Sequence, residues 1–316
     1  MENSKEQKTV LVTGGAGFIG SHTVDLLLEQ GRQVTVLDNL SSGKIKNLNL
    51  RSPDVDLIEG DVLEYPLLEK LIEDVDAVIH LAAIASVPMS IEHPIYTFQV
   101  NTQGFLHVLE AVRKSRRPIR VVYASSAAVY GDASVLPCRD SVSLTEVPLS
   151  PYALQKLNME QYADLYARLH GVQSLALRYF NVYGPRQDPS SPYSGVISRY
   201  IDLYKHHSPL TVYGDGLQSR DFIHVSDVAL ANTLALDKPF VGALNIATGQ
   251  PQTLLQLIEY IEKAGGEAAN VTMSPQRAGD IRASYATVDL AKQHLGFEAA
   301  ISLSEGIRQL VGSRTR

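Results

Sequence analysis

One cysteine, Cys138, is the whole thiol content of 316 residues. That excludes an internal disulfide and any cysteine-built metal site. No apolar run reaches the ~18 residues that a membrane span needs. The opening residues, Met1 to Lys8, are polar and hold no signal-peptide core. These absences predict a reducing, cytoplasmic setting with no membrane partner. A positive charge excess is also missing. Against 34 Asp and Glu stand 28 Lys and Arg, a net charge of −6, which argues against nucleic acid as a partner. An anionic small substrate stays open, because local Arg groups decide that. Neither Gly-x-Ser-x-Gly nor His-Glu-x-x-His occurs, and the adjacent His206 and His207 would face different directions on a helix. No hydrolase chemistry and no metal are expected. Internal repeats and low-complexity linkers are absent too. What remains is 45 % apolar and 20 % charged, enough for one large or two ordinary domains with a sizeable core.

The chain is organised around Thr9-Val10-Leu11-Val12-Thr13-Gly14-Gly15-Ala16-Gly17-Phe18-Ile19-Gly20. A β-branched run stops at glycines spaced three apart, and an amphipathic segment from Ile19 to Gln30 follows. This reads as strand, tight turn and helix. Gly14 permits the turn, Gly17 lets a pyrophosphate approach the backbone, and Gly20 lets helix and strand pack closely. The helix N-terminus offers N–H groups and a positive dipole end to phosphates. Alone, the glycines would equally suit an ordinary βα turn. A second apolar run, Gln33 to Leu37, changes that by ending in Asp38, where a carboxylate would hold the adenosine ribose. The acid, with no Arg beside it, favours NAD over NADP.

Further strands are expected at Val55–Gly60, Ala77–Ala83, Arg120–Ser126 and Gln173–Tyr179, with helices at Pro94–Arg117 and Tyr152–His170. Alternation of this kind means an α/β fold with a doubly wound parallel sheet. Ligands then sit at the carboxyl ends of the strands, where Gly14, Asp38, Asp61, Ala82 and Ser126 fall. Asn39 to Gly43, including Ser42, would wrap the ribose, and Asp61 would accept from the adenine amino group. After Tyr179 the texture changes. Gly184, Pro185, Pro189 and Pro192 predict a long loop over Asn181–Ser194. Shorter elements follow, near Val196–His206, Thr211–Tyr213, Val225–Ala235 and Thr253–Ala264. Residues 1–180 are expected to form a Rossmann domain for NAD. Residues 181–316 are expected to form a smaller α/β substrate domain, partly interleaved with it.

Tyr152 and Lys156 lie four apart, on one face of a helix, and Ser126 ends a strand at the cofactor edge. A phenol with an unperturbed pKa near ~10 is a poor base at neutral pH. A nearby ammonium and a positive nicotinamide ring would lower it. The phenolate could then take a hydroxyl proton while hydride leaves the same carbon. As a bare pattern, Tyr152 and Lys156 would be a surface pair; the dinucleotide fold around them favours catalysis.

These residues resemble the extended short-chain dehydrogenase/reductase family, and within it the NAD-dependent UDP-N-acetylglucosamine/UDP-glucose 4-epimerase group. The matching motifs span nearly the whole chain: the glycine stretch, Asp61-Val62, His80-Leu81-Ala82-Ala83, Ser125 to Gly131, Ser150-Pro151-Tyr152-x-x-x-Lys156, Leu177 to Arg186, Tyr213 to Gly216, Ser219 to Val225, and Arg277-Ala278-Gly279-Asp280. The resemblance implies Ser126, Tyr152 and Lys156 as the catalytic set. It implies a cofactor site of Gly14, Gly17, Phe18, Ile19, Gly20, Asp38, Asn39, Ser42, Gly43, Asp61, Val62, Leu81, Ala82, Ala83, Asn101 and Phe180. For the substrate it implies Ser86, Asn181, Val196, Arg220, Arg277, Asp280 and Ser284, the arginines gripping the diphosphate and Asp280 the uridine ribose. A small Ser284 goes with room for an acetamido group, where a Tyr goes with plain hexoses. One departure is Ala85, where some hexose epimerases carry Lys.

The reaction implied is inversion of C4 of a UDP-hexose through a transient 4-keto sugar that turns over about its diphosphate. UDP-GlcNAc/UDP-GalNAc is the expected pair, with UDP-Glc/UDP-Gal as second substrates. Rivals are a 4,6-dehydratase, a sugar decarboxylase, a UDP-glucuronate 4-epimerase and a non-catalytic NAD-binding regulator. Ala127 and Ala128 stand where a dehydratase has Asp-Glu and where a decarboxylase has Glu. Asn181 stands where uronate epimerases usually have Thr, and the intact Tyr152–Lys156 set counts against a regulator. The resemblance also implies a homodimer, packed through the Asn101–Arg117 and Tyr152–His170 helices as a four-helix bundle.

Overall fold

A computed structural model describes residues 8–140, 147–191, 194–276 and 281–312. The first half runs β1 (Thr9–Thr13), α1 (Phe18–Glu29), β2 (Gln33–Asp38), β3 (Val55–Glu59), α2 (Tyr65–Glu73), β4 (Ala77–His80), α3 (Val87–Glu92), α4 (Pro94–Phe98), α5 (Gly104–Lys114), β5 (Arg120–Ser126), α6 (Pro151–His170) and β6 (Ser174–Tyr179). The second runs β7 (Asn181–Tyr183), α7 (Val196–Lys205), β8 (Leu210–Tyr213), β9 (Ser219–His224), α8 (Val225–Leu236), β10 (Gly242–Ile246), β11 (Pro251–Thr253), α9 (Leu254–Gly265), β12 (Val271–Ser274), β13 (Ala283–Ser284), α10 (Asp289–Leu295) and α11 (Leu303–Gly312).

Seven strands form one parallel sheet in the order β10-β6-β5-β4-β1-β2-β3. Both faces are buried, which the side-chain alternation shows directly. Val10 and Val12 of β1 join a core with Val24 and Leu27 of α1 and Val228 and Ala231 of α8. Leu11, between them, joins the opposite core with Leu68 and Ile72 of α2, Phe105 and Leu109 of α5 and Met159 of α6. The strand order reverses between β1 and β4. A cleft opens beyond the strands at such a reversal.

The chain after residue 180 contributes to both layers. Its α8 packs on α1, and its β10 is the seventh strand of the parallel sheet. The rest builds a parallel pair, β8 with β12, and a mixed sheet. There β9 pairs antiparallel with β11 and in parallel with β13 and β7. A third core, with Tyr200 and Ile201 of α7, Leu257 and Ile261 of α9 and Ile307 of α11, lies under it.

Two expectations need correction. The helix expected over Pro94–Arg117 is α4 and α5 joined by a π-turn at Gln99–Gln103, and it ends at Lys114. Extra residues in one turn re-aim the side chains there, and Asn101 sits inside it. The long loop expected from Asn181 begins instead with β7. Asn181, Val182 and Tyr183 pair with Phe222, Ile223 and His224, a long-range partnership that local composition does not carry.

Candidate active site

The glycine turn closes as the spacing predicts. Gly14 has φ +72°, and a Cβ there would meet the Ala82 backbone at 2.7 Å. A Cβ on Gly20 would collide with the Gly14 carbonyl oxygen. Close packing of helix on turn therefore demands glycine at both. Helix α1 starts at Phe18 with no side-chain cap and no acid in its first turn, so its first N–H groups are left for a ligand to satisfy.

That cleft is a cavity of about 430 Å³ at the carboxyl ends of the parallel strands. Gly14, Gly17, Phe18, Ile19 and Gly20 line one end with Asp38, Asn39, Ser42, Asp61 and Val62; Leu81, Ala82, Ala83, Phe180, Ser126, Tyr152 and Lys156 line the other. Asp38 is buried; its Oδ2 accepts the Ala16 N–H at 2.9 Å and its Oδ1 the Leu40 N–H at 2.8 Å. Gly43 packs against this carboxylate rather than against the cavity. Asp61 accepts from Asn39 Nδ2 at 2.8 Å and from the Leu63 N–H at 2.9 Å.

Other expected residues lie elsewhere. Asn101 is fully buried behind the wall. Its Oδ1 accepts the Ile84 N–H at 2.7 Å, while Nδ2 donates to Gln155 Oε1 at 2.8 Å. It braces the loop after β4. Ser86 is buried as the N-cap of α3, accepting the Met89 N–H at 3.1 Å. Asn181, Arg220 and Ser284 come together on the mixed sheet. Ser284 stands opposite Arg220 in register, and Asn181 Nδ2 donates to the Asp221 carbonyl at 3.2 Å. Val196 opens α7 directly after Gly195, a cavity residue. Arg277 and Asp280 lie outside the described residues. Ser125, Tyr179, Val182 and Gln187 also line the cavity. The motifs around them announce the first three; Gln187 gives no local signal.

The expected catalytic trio is held by secondary structure. Ser150 caps α6 by accepting the Ala153 N–H at 3.2 Å, and Pro151 occupies the first turn. Ser126 ends β5 and caps the short turn Ala127–Tyr130. Tyr152 is partly buried; burial raises its phenol above the usual value, and the Ser126 hydroxyl pulls it back. Lys156 is 2 % exposed, and its Nζ donates to the Ala124 carbonyl at 2.8 Å, 5.9 Å from the centre of the Tyr152 ring. Burial lowers the ammonium to about 8, against a raising influence of Glu160. The expected direction of influence, an ammonium lowering the phenol, is thus outweighed by desolvation of both groups. His80 lies beyond. Burial and Lys156 lower it to about 3, and its Nδ1 is 2.8 Å from the Thr13 hydroxyl.

A family model described as the NAD dependent epimerase/dehydratase family matches residues 10–247. The chain belongs to this family. A putative UDP-glucose 4-epimerase of Methanocaldococcus jannaschii is 41 % identical over 96 % of this chain and 97 % of its own. The solved UDP-N-acetylglucosamine 4-epimerase of Methanobrevibacter ruminantium, in complex with UDP-N-acetylmuramic acid, is 39 % identical with a TM-score of 0.92, covering 96 % and 97 % of the two chains. The UDP-glucose 4-epimerase of Thermotoga maritima, solved with UDP-glucose, is 37 % identical with a TM-score of 0.90 and the same coverage.

The family's NAD fits the residues present. The uncapped end of α1 and the bare Gly17 backbone suit a pyrophosphate. The Asp38 carboxylate suits a ribose diol and repels a 2′-phosphate.

Lys156 sets a cost on the fold. Its unfolded pKa is 10.5 and its folded value about 8. Between these the unfolded chain binds more protons, so this group's penalty is complete below pH 8 and fades as pH rises. Lys156→Met is expected to stabilise the cofactor-free protein at pH 7 by about 1–3 kcal/mol while abolishing turnover. Urea melts of both proteins at pH 7 and pH 10 check this. A stability difference that does not shrink at the higher pH contradicts it.

Proposed function

We propose that this protein is a UDP-sugar 4-epimerase that interconverts UDP-GlcNAc and UDP-GalNAc, with UDP-Glc and UDP-Gal as second substrates. The observation that carries it is the placing of Ser126, Tyr152 and Lys156 on one wall of a dinucleotide cavity, followed by Ala127 and Ala128. An elimination of water needs an acid and a base at those two positions, and methyl groups supply neither.

In this reading Tyr152 takes the proton from the sugar O4 and Ser126 donates a hydrogen bond to the same oxygen. NAD, when bound, supplies a hydride acceptor and donor and a positive ring that favours the phenolate. Lys156, charged below pH 8, favours it too. Tyr152 returns the proton after the 4-keto sugar has presented its other face, so net redox is zero. The sugar must turn freely while its diphosphate is held. Asn181 and Arg220 stand on a separate sheet from the catalytic wall, which suits that division, and a guanidinium suits phosphate oxygens. Arg277 and Asp280 carry the same proposed roles as before, gripping the diphosphate and the uridine ribose.

Tyr152→Phe removes one oxygen. It should keep the fold and the bound NAD and lose roughly 10²–10⁴-fold in turnover. A variant retaining more than about half the rate removes Tyr152 from the mechanism.

Ser284 is the proposed specificity residue. A phenol there would occupy the volume an acetamido group needs. Ser284→Tyr should suppress turnover of the N-acetylated pair and leave the plain-hexose pair largely intact. Both pairs are to be assayed on both proteins. Wild type ignoring UDP-GlcNAc, or a variant that handles it unchanged, refutes the preference.

A second copy of the chain is the proposed partner. Leu154, Tyr162, Leu165 and Leu169 are 38–65 % exposed along one side of α6, which packs beside α5. Such a stripe is costly in water and suits a four-helix bundle built from α5 and α6 of two copies. Light scattering at micromolar concentration should give a dimer mass. Leu165→Glu with Leu169→Glu should give a monomer, and a monomeric wild type overturns the assignment.

A further inference from the structure

We infer that Glu160 is a positioning residue for the Tyr152 chemistry, clamping the ends of β5 and β6 to the helical face that carries Tyr152 and Lys156. The inference rests on the reaction proposed above. Tyr152, Lys156 and Glu160 follow at four-residue intervals on α6, so they stack along one side of it. The Glu160 carboxylate accepts three hydrogen bonds. Ser125 Oγ donates at 2.5 Å, Arg178 Nε at 2.9 Å and Arg178 Nη2 at 2.6 Å. Ser125 precedes the catalytic Ser126. Arg178 is its register partner across the β5–β6 pair, as Tyr179 is for Ser126. One carboxylate therefore holds helix α6 and both strand ends.

The clamp is buried and braced. The Arg178 and Glu160 side chains are 6 % and 11 % exposed. Arg178 Nη1 also donates to the Tyr130 hydroxyl at 2.8 Å, and that hydroxyl donates to Asn245 Oδ1 at 2.6 Å. A buried ion pair of this kind is a poor source of stability, because desolvation consumes most of the attraction. Its geometry is nevertheless strict, since three donors meet the carboxylate from two strands at defined angles.

The second consequence is electrostatic. Lys156 faces Tyr152 and Glu160 from α6, His80 from β4 and the Ala124 carbonyl from β5, while Arg178 of β6 stands behind Glu160. Burial keeps His80 uncharged at neutral pH, and Tyr123 and Tyr130 of the β5 side keep their protons. Glu160 is thus the negative charge that opposes the loss of the Lys156 proton.

Glu160→Gln keeps the shape and removes the charge. The expected result is a fall of about 10–100-fold in kcat, with KM within about threefold of wild type and NAD retained. The alkaline limb of the kcat profile should move down by about one pH unit, because Lys156 then deprotonates more easily. Glu160→Asp should restore the limb while leaving kcat short of wild type. A structural brace alone would lower the folded fraction and leave the limb where it was. Should Arg178 without its partner prevent folding, Glu160→Gln with Arg178→Gln removes both charges, and a downward movement smaller than one pH unit is expected, because loss of the more distant Arg178 charge offsets part of the loss of Glu160. An alkaline limb coincident with wild type in a folded, NAD-loaded variant overturns the inference. That outcome is separable from failure of the proposed reaction. If Tyr152→Phe is inactive while the limb stays in place, only the role of Glu160 falls. An active Tyr152→Phe removes the reaction itself.

Discussion

Everything in this molecule depends on seven parallel strands ending along one edge. Parallel strands align their carboxyl ends, and the helices that return between them occupy both faces. The loops that remain at that edge must then be short, polar or glycine-bearing, because no helix covers them there. A Cβ on Gly20 of α1 would collide with the Gly14 carbonyl, so glycine there lets α1 come down onto β1 at the reversal of strand order. Asp38 then closes the turn from the neighbouring strand by accepting the Ala16 N–H. A cofactor site results from backbone geometry first and side chains second.

Helix α6 carries the opposite burden. Its buried face holds Gln155, Lys156 and most of Glu160 among Ala153, Met159 and Ala163. Hydrophobic burial would be better served by leucines at those places. The polar groups instead satisfy each other and the strand ends: Gln155 joins Asn101 and Thr97, Lys156 joins Ala124, and Glu160 joins Ser125 and Arg178. The bonds run from the helix to α4, the π-turn, β5 and β6, so the helix can neither rotate nor slide without breaking several. Such a network stabilises little on balance, yet it leaves one allowed position for the Tyr152 phenol.

Much of this was legible in the sequence, because the relevant signals are local. The β1–α1–β2 unit, the acid at Asp38, the strand ending at Ser126 and the four-residue spacing of Tyr152 and Lys156 each follow from periodicity, turn chemistry or a motif. What escaped is non-local. Strand β10, Gly242–Ile246, is a five-residue segment whose membership of the parallel sheet rests on pairing with β6, far back in the chain. Strand β13 has two residues and exists through β9. The π-turn at Asn101 depends on what that amide must reach, the Ile84 backbone and Gln155. Lys156 shows the same limit for electrostatics. Spacing predicts its neighbour, but only the packed structure shows that burial lowers the lysine itself to about 8.

The two sheets divide two physical demands that conflict. Proton and hydride chemistry at one carbon needs fixed groups, since small misplacements of reacting atoms are costly. Inverting that carbon needs a substrate ring that presents either face to the same fixed groups. A rigid grip on the ring would forbid this, so recognition energy has to come from parts of the ligand remote from the reacting carbon. The parallel sheet and α6 supply the fixed groups. The mixed sheet, with Arg220 and Ser284 in register and Asn181 on the neighbouring strand, offers a separate support for a charged tether. Val182 and Gln187 line the cavity, and Val182 follows Phe180 and Asn181 directly in the chain. The crossing from β6 to β7 therefore joins the wall that carries the fixed groups to the sheet that carries Asn181 and Arg220.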